Sequence, residues 1–113
     1  RVWLDEFMRL LPLNRRERFA AAENLARNRD QLRLMLQVWL SFTRDIFLTV
    51  NGMGGKVVNL DYAAESTRIA GTLPRKHALG MMNTLVLAME NLEANANLRL
   101  LLDNVLLDIP CIN

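Results

Sequence analysis

The chain has 113 residues, the size of one common domain, and about half of them, 51%, are hydrophobic, which is enough to bury a real core. Its formal charge is only +2, from 14 basic and 12 acidic residues, so no strongly basic DNA-reading surface is indicated. One cysteine, Cys111, and one histidine, His77, exclude an internal disulfide and leave a zinc site almost without ligands.

The basic excess is mild and sits in the first half: residues 1–57 carry ten Lys/Arg against six Asp/Glu, and residues 58–113 carry four against six. Low cysteine use is compatible with a reducing cytoplasm. No apolar run approaches the roughly 18–20 residues of a membrane span. The chain opens on Arg1 inside a predicted helix, and it reads as a fragment of a longer protein.

Trp3, Leu4, Phe7, Met8, Leu10 and Leu11 recur at helical spacing, which predicts an amphipathic helix over 2–11 that Pro12 ends. Asn14 with Glu17 three residues on forms a capping-box signature, so a helix is expected over 15–27 with Phe19, Ala22, Leu25 and Ala26 inward. Asn28 and Gln31 repeat the cap. The next helix is the longest, over 29–51, lined by Leu32, Met35, Leu36, Trp39, Leu40, Ile46, Phe47 and Val50. At about 1.5 Å per residue it spans roughly 34 Å, which suits a central element. Gly52 supplies a left-handed residue past its end.

Asn51-Gly52 between 46–50 and 56–60 is also a β-hairpin signal. Helix followed by loop is preferred, because the helical spacing from Leu32 to Phe47 is continuous and an isolated hairpin is marginal. Asp61 then caps a short helix over 62–70 that stops at Gly71. Pro74 opens another that runs to about residue 94, with Ala78, Met81, Met82, Leu85, Val86, Met89 and Leu92 inward. Asn95-Ala96-Asn97 breaks the chain, Asn97 caps a last helix over 98–109, and Pro110 ends it. The expected fold is an all-α bundle of five or six helices with essentially no sheet.

Candidate chemistry fails at each place it could occur. Gly52-Met53-Gly54-Gly55-Lys56 faintly suggests a phosphate loop, but the preceding segment is helical, the glycine spacing is wrong and Val57 stands where a hydroxyl is needed. His77 and Cys111 have no partner at a matched spacing. Arg15, Arg16, Arg18, Arg27, Arg29 and Arg33 form a basic stretch, interrupted by Glu17, Glu23 and Asp30 and without interleaved aromatics, so a solvated helix face is favoured over a nucleic-acid site. No catalytic residue, cofactor or metal is expected.

The last helix is the anomaly. Leu98, Leu100, Leu101, Leu102, Val105, Leu106, Leu107 and Ile109 surround most of it. Leu98, Leu102, Val105 and Ile109 make one core stripe, Leu100 and Leu107 lie off it on one line, and Leu101 and Leu106 fall at its margins. A helix shared between its own core and another subunit accounts for this surplus, with Leu100, Leu101, Leu106 and Leu107 as interface candidates.

Three segments carry a resemblance. The first is 18–26, Arg-Phe-Ala-Ala-Ala-Glu-Asn-Leu-Ala, followed by 39–45, Trp-Leu-Ser-Phe-Thr-Arg-Asp. The second is 57–61, Val-Val-Asn-Leu-Asp. The third is 95–102, Asn-Ala-Asn-Leu-Arg-Leu-Leu-Leu, closing with 106–110, Leu-Leu-Asp-Ile-Pro. In order and spacing they resemble the δ′ (delta prime) family of bacterial DNA polymerase III clamp-loader subunits, over nearly the whole chain. Asp103 departs from the Glu common there, and Phe42-Thr43 from a common aromatic pair.

The resemblance implies a non-catalytic C-terminal collar domain of an AAA+ subunit, within a complex that has DNA polymerase activity. Its implied partners are the delta and gamma/tau subunits, packed side by side in a ring in the cytoplasm. DNA would be reached only through the complex, and neither a membrane nor a small-molecule substrate is implied. Trp39, Arg44, Asp45, Asn59, Asn95, Asn97 and Arg99 become structural positions. Adjacent helix residues point about 100° apart, so Arg44 and Asp45 should each find a partner on another helix or loop. The alternatives are a small helical DNA-binding module using residues 15–33, a gamma/tau collar domain, or an uncharacterised all-α enzyme.

Overall fold

The computed structural model describes residues 2–94 and 97–112. Six α-helices follow in order: α1 Val2–Leu10, α2 Arg15–Leu25, α3 Arg29–Val50, α4 Ala63–Ala70, α5 Arg75–Asn91 and α6 Leu98–Asp108. Short 3-10 turns at Gly54–Lys56 and Leu60–Tyr62 join α3 to α4, and no strand occurs among the described residues. The Asn51-Gly52 hairpin is therefore not formed.

Local chemistry sets the helix starts. The Asn14 side chain accepts from the Glu17 amide at 2.9 Å, and the Asn14 amide donates to Glu17 Oε1 at 3.0 Å, which completes the expected capping box. Asn28 Oδ1 accepts from the Gln31 amide at 3.0 Å and starts α3. Gly52, with the one positive φ among the described residues, +77°, turns the chain out of α3. The short helix differs from expectation: the residue at its cap is Tyr62, no side-chain cap bond forms there, and the Leu60–Tyr62 turn leads in instead. Helix α5 ends at Asn91, before residue 94. The expected break at Asn95 and Ala96 lies outside the described residues.

Helix α3 is the axis of the bundle, with α1, α4 and α5 packed on it and α6 closing against α2 and α5. Its centre is aromatic. Phe7 meets the fully buried Trp39 at 5.1 Å between ring centroids and Phe42 edge-on at 5.9 Å, and Phe42 meets Tyr62 edge-on at 6.2 Å. The Trp39 indole N–H would be costly if left unpaired in this core. It donates to the Trp3 carbonyl at 2.7 Å and so ties α3 to α1.

Asp45 is buried, and its carboxylate holds the connection to α4. It accepts from the Val58 amide at 2.9 Å, the Asn59 amide at 2.8 Å and Asn59 Nδ2 at 2.7 Å. Asn59 Nδ2 also donates to Ser41 Oγ at 3.1 Å. Arg44 does not behave as expected. It is exposed and makes no hydrogen bond or ion pair among the described residues, because the turn of the helix that sends Asp45 inward sends Arg44 to solvent.

Two inward assignments are corrected. Phe19 is exposed, and Arg18 and Ala22 are the buried residues of α2. Val86 is exposed, and Ala88 takes its place in the core. Truncating the central ring tests the packing: Trp39→Ala should lower unfolding stability by roughly 3–5 kcal/mol. Urea denaturation checks this, and a loss below about 1 kcal/mol would mean that Trp39 does not organise the core.

Candidate subunit interface

The surface of interest depends on how α6 is held. Asn97 Oδ1 accepts from the Leu100 amide at 3.0 Å and fixes its start. Its end is fixed by Arg18, which is only 5% exposed. Arg18 Nε donates to the Leu10 carbonyl at 3.1 Å, and Nη2 donates to Leu11 at 2.8 Å and Pro110 at 3.0 Å. Nη1 donates to Leu106 at 2.9 Å and also to Ile109.

A guanidinium has five N–H donors, and here each one reaches a main-chain carbonyl. The acceptors are the ends of α1 and α6, where carbonyls lack helical partners and the helix dipole is negative. Burial pushes the Arg18 pKa below its ordinary value, and the neighbouring Cys111 opposes this. The Ile112 amide adds a bond to the Leu11 carbonyl at 2.9 Å and lays the C-terminal segment along the end of α1.

Held this way, α6 buries Leu101, Leu102, Val105 and Leu106. Leu101 and Leu106 thus belong to the chain's own core, and the outward apolar positions reduce to Leu100, 54% exposed, and Leu107, 50% exposed. Seven residues apart, these two lie almost on one line of the helix. Each stands on the rim of an open groove. Leu100 borders one of about 230 Å³ between α5 and α6, with Thr84, Leu87, Asn91 and Asn104. Leu107 borders one of about 280 Å³ between α2 and α6, with Leu13, Arg15, Phe19, Asp103 and Cys111. Leu87 and Phe19 are themselves exposed, so α6 forms a ridge between two apolar troughs.

Arg99 braces one of these troughs. Its Nη2 donates to the Phe19 carbonyl at 2.8 Å, its guanidinium lies 4.5 Å from the Phe19 ring centroid, and its Nε pairs with Asp103 at 3.4 Å. Trp39, Asp45, Asn59, Asn97 and Arg99 all make the structural contacts just described, Arg44 makes none, and Asn95 lies outside the described residues. Sequence reasoning missed Arg18, Phe19 and Leu87. Arg18 shares a helix face with Ala22 and Leu25 at i, i+4 and i+7, but spacing alone does not tell a buried arginine from a solvated one.

Of the remaining arginines of the basic stretch, Arg15 and Arg16 are exposed without a partner among the described residues, and the other three are engaged within the chain. Arg29 Nη1 donates to the Leu92 carbonyl at the end of α5 at 2.8 Å, Arg33 pairs with Asp30 and Glu93, and Arg27 donates to Asn24. Gly54–Lys56 forms a 3-10 turn that follows a helix and not a strand. His77 and Cys111 are exposed, and among the described residues no group of three His, Cys, Asp or Glu could hold a metal ion. Among the described residues no helix is long and apolar enough to cross a membrane.

These features define an all-α domain whose chemistry lies in its apolar helix faces. Residues 4–110 match the family model described as DNA polymerase III, delta subunit, C terminal, and the chain belongs to that family. The match agrees with the resemblance in the sequence at the level of the DNA polymerase III subunit, and it names delta where the closing motif pointed to δ′. No curated protein and no solved structure matches the chain.

Arg18→Lys tests the closure of α6. An ammonium has three donors and no fork, so it leaves buried carbonyls unpaired. Chemical denaturation should show a loss of about 3 kcal/mol or more. A variant as stable as the parent would show that the carbonyls find other partners.

Proposed function

We propose that the chain is the collar domain of a bacterial DNA polymerase III clamp-loader subunit of the δ′ type, the C-terminal assembly module of a longer AAA+ subunit. Family membership supports the subunit class. The closing motif around Asn97, Arg99 and Leu106–Pro110 favours δ′. The observation that carries the reading is the ridge of Leu100 and Leu107, half exposed on a helix whose other leucines are core. Its partners are the delta and gamma/tau subunits, and DNA is reached through the complex, in the cytoplasm. The work is non-catalytic: neighbouring domains seat on the troughs beside α6 and keep the ATPase modules in order while the clamp is loaded.

The basic stretch favours this reading over a DNA-binding module, because Arg18 and Arg29 are engaged by carbonyls and Arg33 by carboxylates. Fully burying an exposed leucine side chain contributes about 1.5–3 kcal/mol, and Leu100 and Leu107 start half exposed, so they supply one part of an interface whose other area must offset the rest of the association cost. Leu100→Asp with Leu107→Asp should leave the melting temperature of the chain within a few degrees of the parent. It should weaken incorporation of the full subunit into the loader roughly tenfold or more. Unimpaired assembly, or an unfolded double variant, would overturn the reading. The gene upstream of Arg1 decides the subunit type: a degenerate ATPase module supports δ′, and its absence removes it.

A further inference from the structure

The two troughs beside α6 are similar in size and unlike in charge. Thr84, Asn91, Asn104 and the exposed Asp108 line the α5 side, and among the described residues no cation does. The α2 side has an apolar lining of Leu13, Phe19, Leu106, Leu107 and Ile109, and Arg15 and Arg18 line it as well. Arg16 follows Arg15 at the start of α2.

The negative groups around the α2 side are already engaged. Asp103 pairs with Arg99, which also meets Glu23 at 3.8 Å, and Glu17 Oε1 accepts from the Asn14 amide. The carbonyls that end α1 and α6 accept from Arg18. Arg15 and Arg16 are left over: both are exposed, and neither makes a hydrogen bond or ion pair among the described residues. Both stand in the first turn of α2, where the helix dipole is positive and disfavours a cation. No contact within the chain offsets this, and a carboxylate from outside would. Phosphates of a nucleic acid would meet the arginines but leave the leucine and phenylalanine side chains uncovered. A protein face that sets carboxylates beside apolar side chains satisfies both halves of the trough.

We infer that the trough between α2 and α6 takes an apolar face edged by Asp or Glu, presented by a neighbouring subunit, and that Arg15 and Arg16 select it. The inference rests on the reading of α6 as a subunit interface and adds the charge of the partner. Asp108 on the α5 side repels the same face, so charge fixes the side of the ridge on which this neighbour docks.

Charge reversal in the full-length subunit tests this, with assembly measured against the remaining loader subunits over a range of NaCl concentrations. Arg15→Glu with Arg16→Glu should weaken assembly roughly tenfold or more at low salt and flatten its salt dependence. Arg15→Gln with Arg16→Gln should give a smaller loss in the same sense, and Arg15→Lys with Arg16→Lys, which keeps both charges, should assemble close to the parent. The reversed chain should keep the parent's melting temperature, since neither arginine has a partner to lose and glutamate suits a first helical turn. If the reversal unfolds the chain, the glutamine pair decides in its place. Assembly at the parent's level in the charge-altered variants, or an equal loss in the lysine pair, would overturn the inference. So would a loss confined to binding of a primed DNA oligonucleotide with assembly intact, which would assign the arginines to phosphate. Loss of assembly in the Leu100/Leu107 variant without loss in the Arg15/Arg16 variants would leave the functional reading standing and sink this one. Loss in neither would sink both.

Discussion

The bundle closes on one buried guanidinium. Arg18 sits where α1 ends, where α6 ends and where the C-terminal segment passes, and it supplies all five of its donors to carbonyls from those three places. Two helix C-termini directed at each other would set two negative dipole ends and several unpaired carbonyls in an apolar interior. Either feature alone opposes packing. A planar cation with its donors in a fixed fork removes both, which a point charge such as lysine cannot do. Arg29 repeats the device on a smaller scale at the end of α5.

The orientation of α6 follows from that closure, and so does the exposure of Leu100 and Leu107. With its start fixed by Asn97 and its end by Arg18, the helix cannot rotate to hide its surplus leucines. Leu101, Leu102, Val105 and Leu106 satisfy the core, and nothing on the inner side remains for the other two. The outward leucines are thus a product of the same contacts that stabilise the fold. Asp45 acts in a parallel way at the connection between α3 and α4, holding a loop whose Val58 and Leu60 side chains are exposed.

Helix order and most boundaries were legible in the sequence because each junction carries a local signal. Asn14 with Glu17, Asn28, Gly52 and Asn97 each perform the capping or turning role their chemistry suggests. The outward line of Leu100 and Leu107 was legible from spacing alone. Arg18 was not, because a charged residue on an apolar face reads as solvated until its carbonyl partners are known, and those lie up to 92 residues away. Phe19 misled for the converse reason: a large ring was assigned inward, while its neighbour Arg18 took the inner face and Arg99 covered the ring from outside. Arg44 shares a dipeptide with Asp45 but not its role, since only a three-dimensional contact tells such neighbours apart.

Carbonyl oxygens carry no titratable proton, and a largely buried cation held by them is screened much less by dissolved ions than an exposed pair. The joint at Arg18 therefore differs in kind from the outer pairs Arg33–Glu93 and Arg99–Glu23, which lie in solvent where salt screens them. Acid that neutralises a carboxylate has nothing to neutralise there, and added salt has no exposed pair to weaken. The ionic medium acts chiefly on the outer charges of this domain and much less on its internal closure.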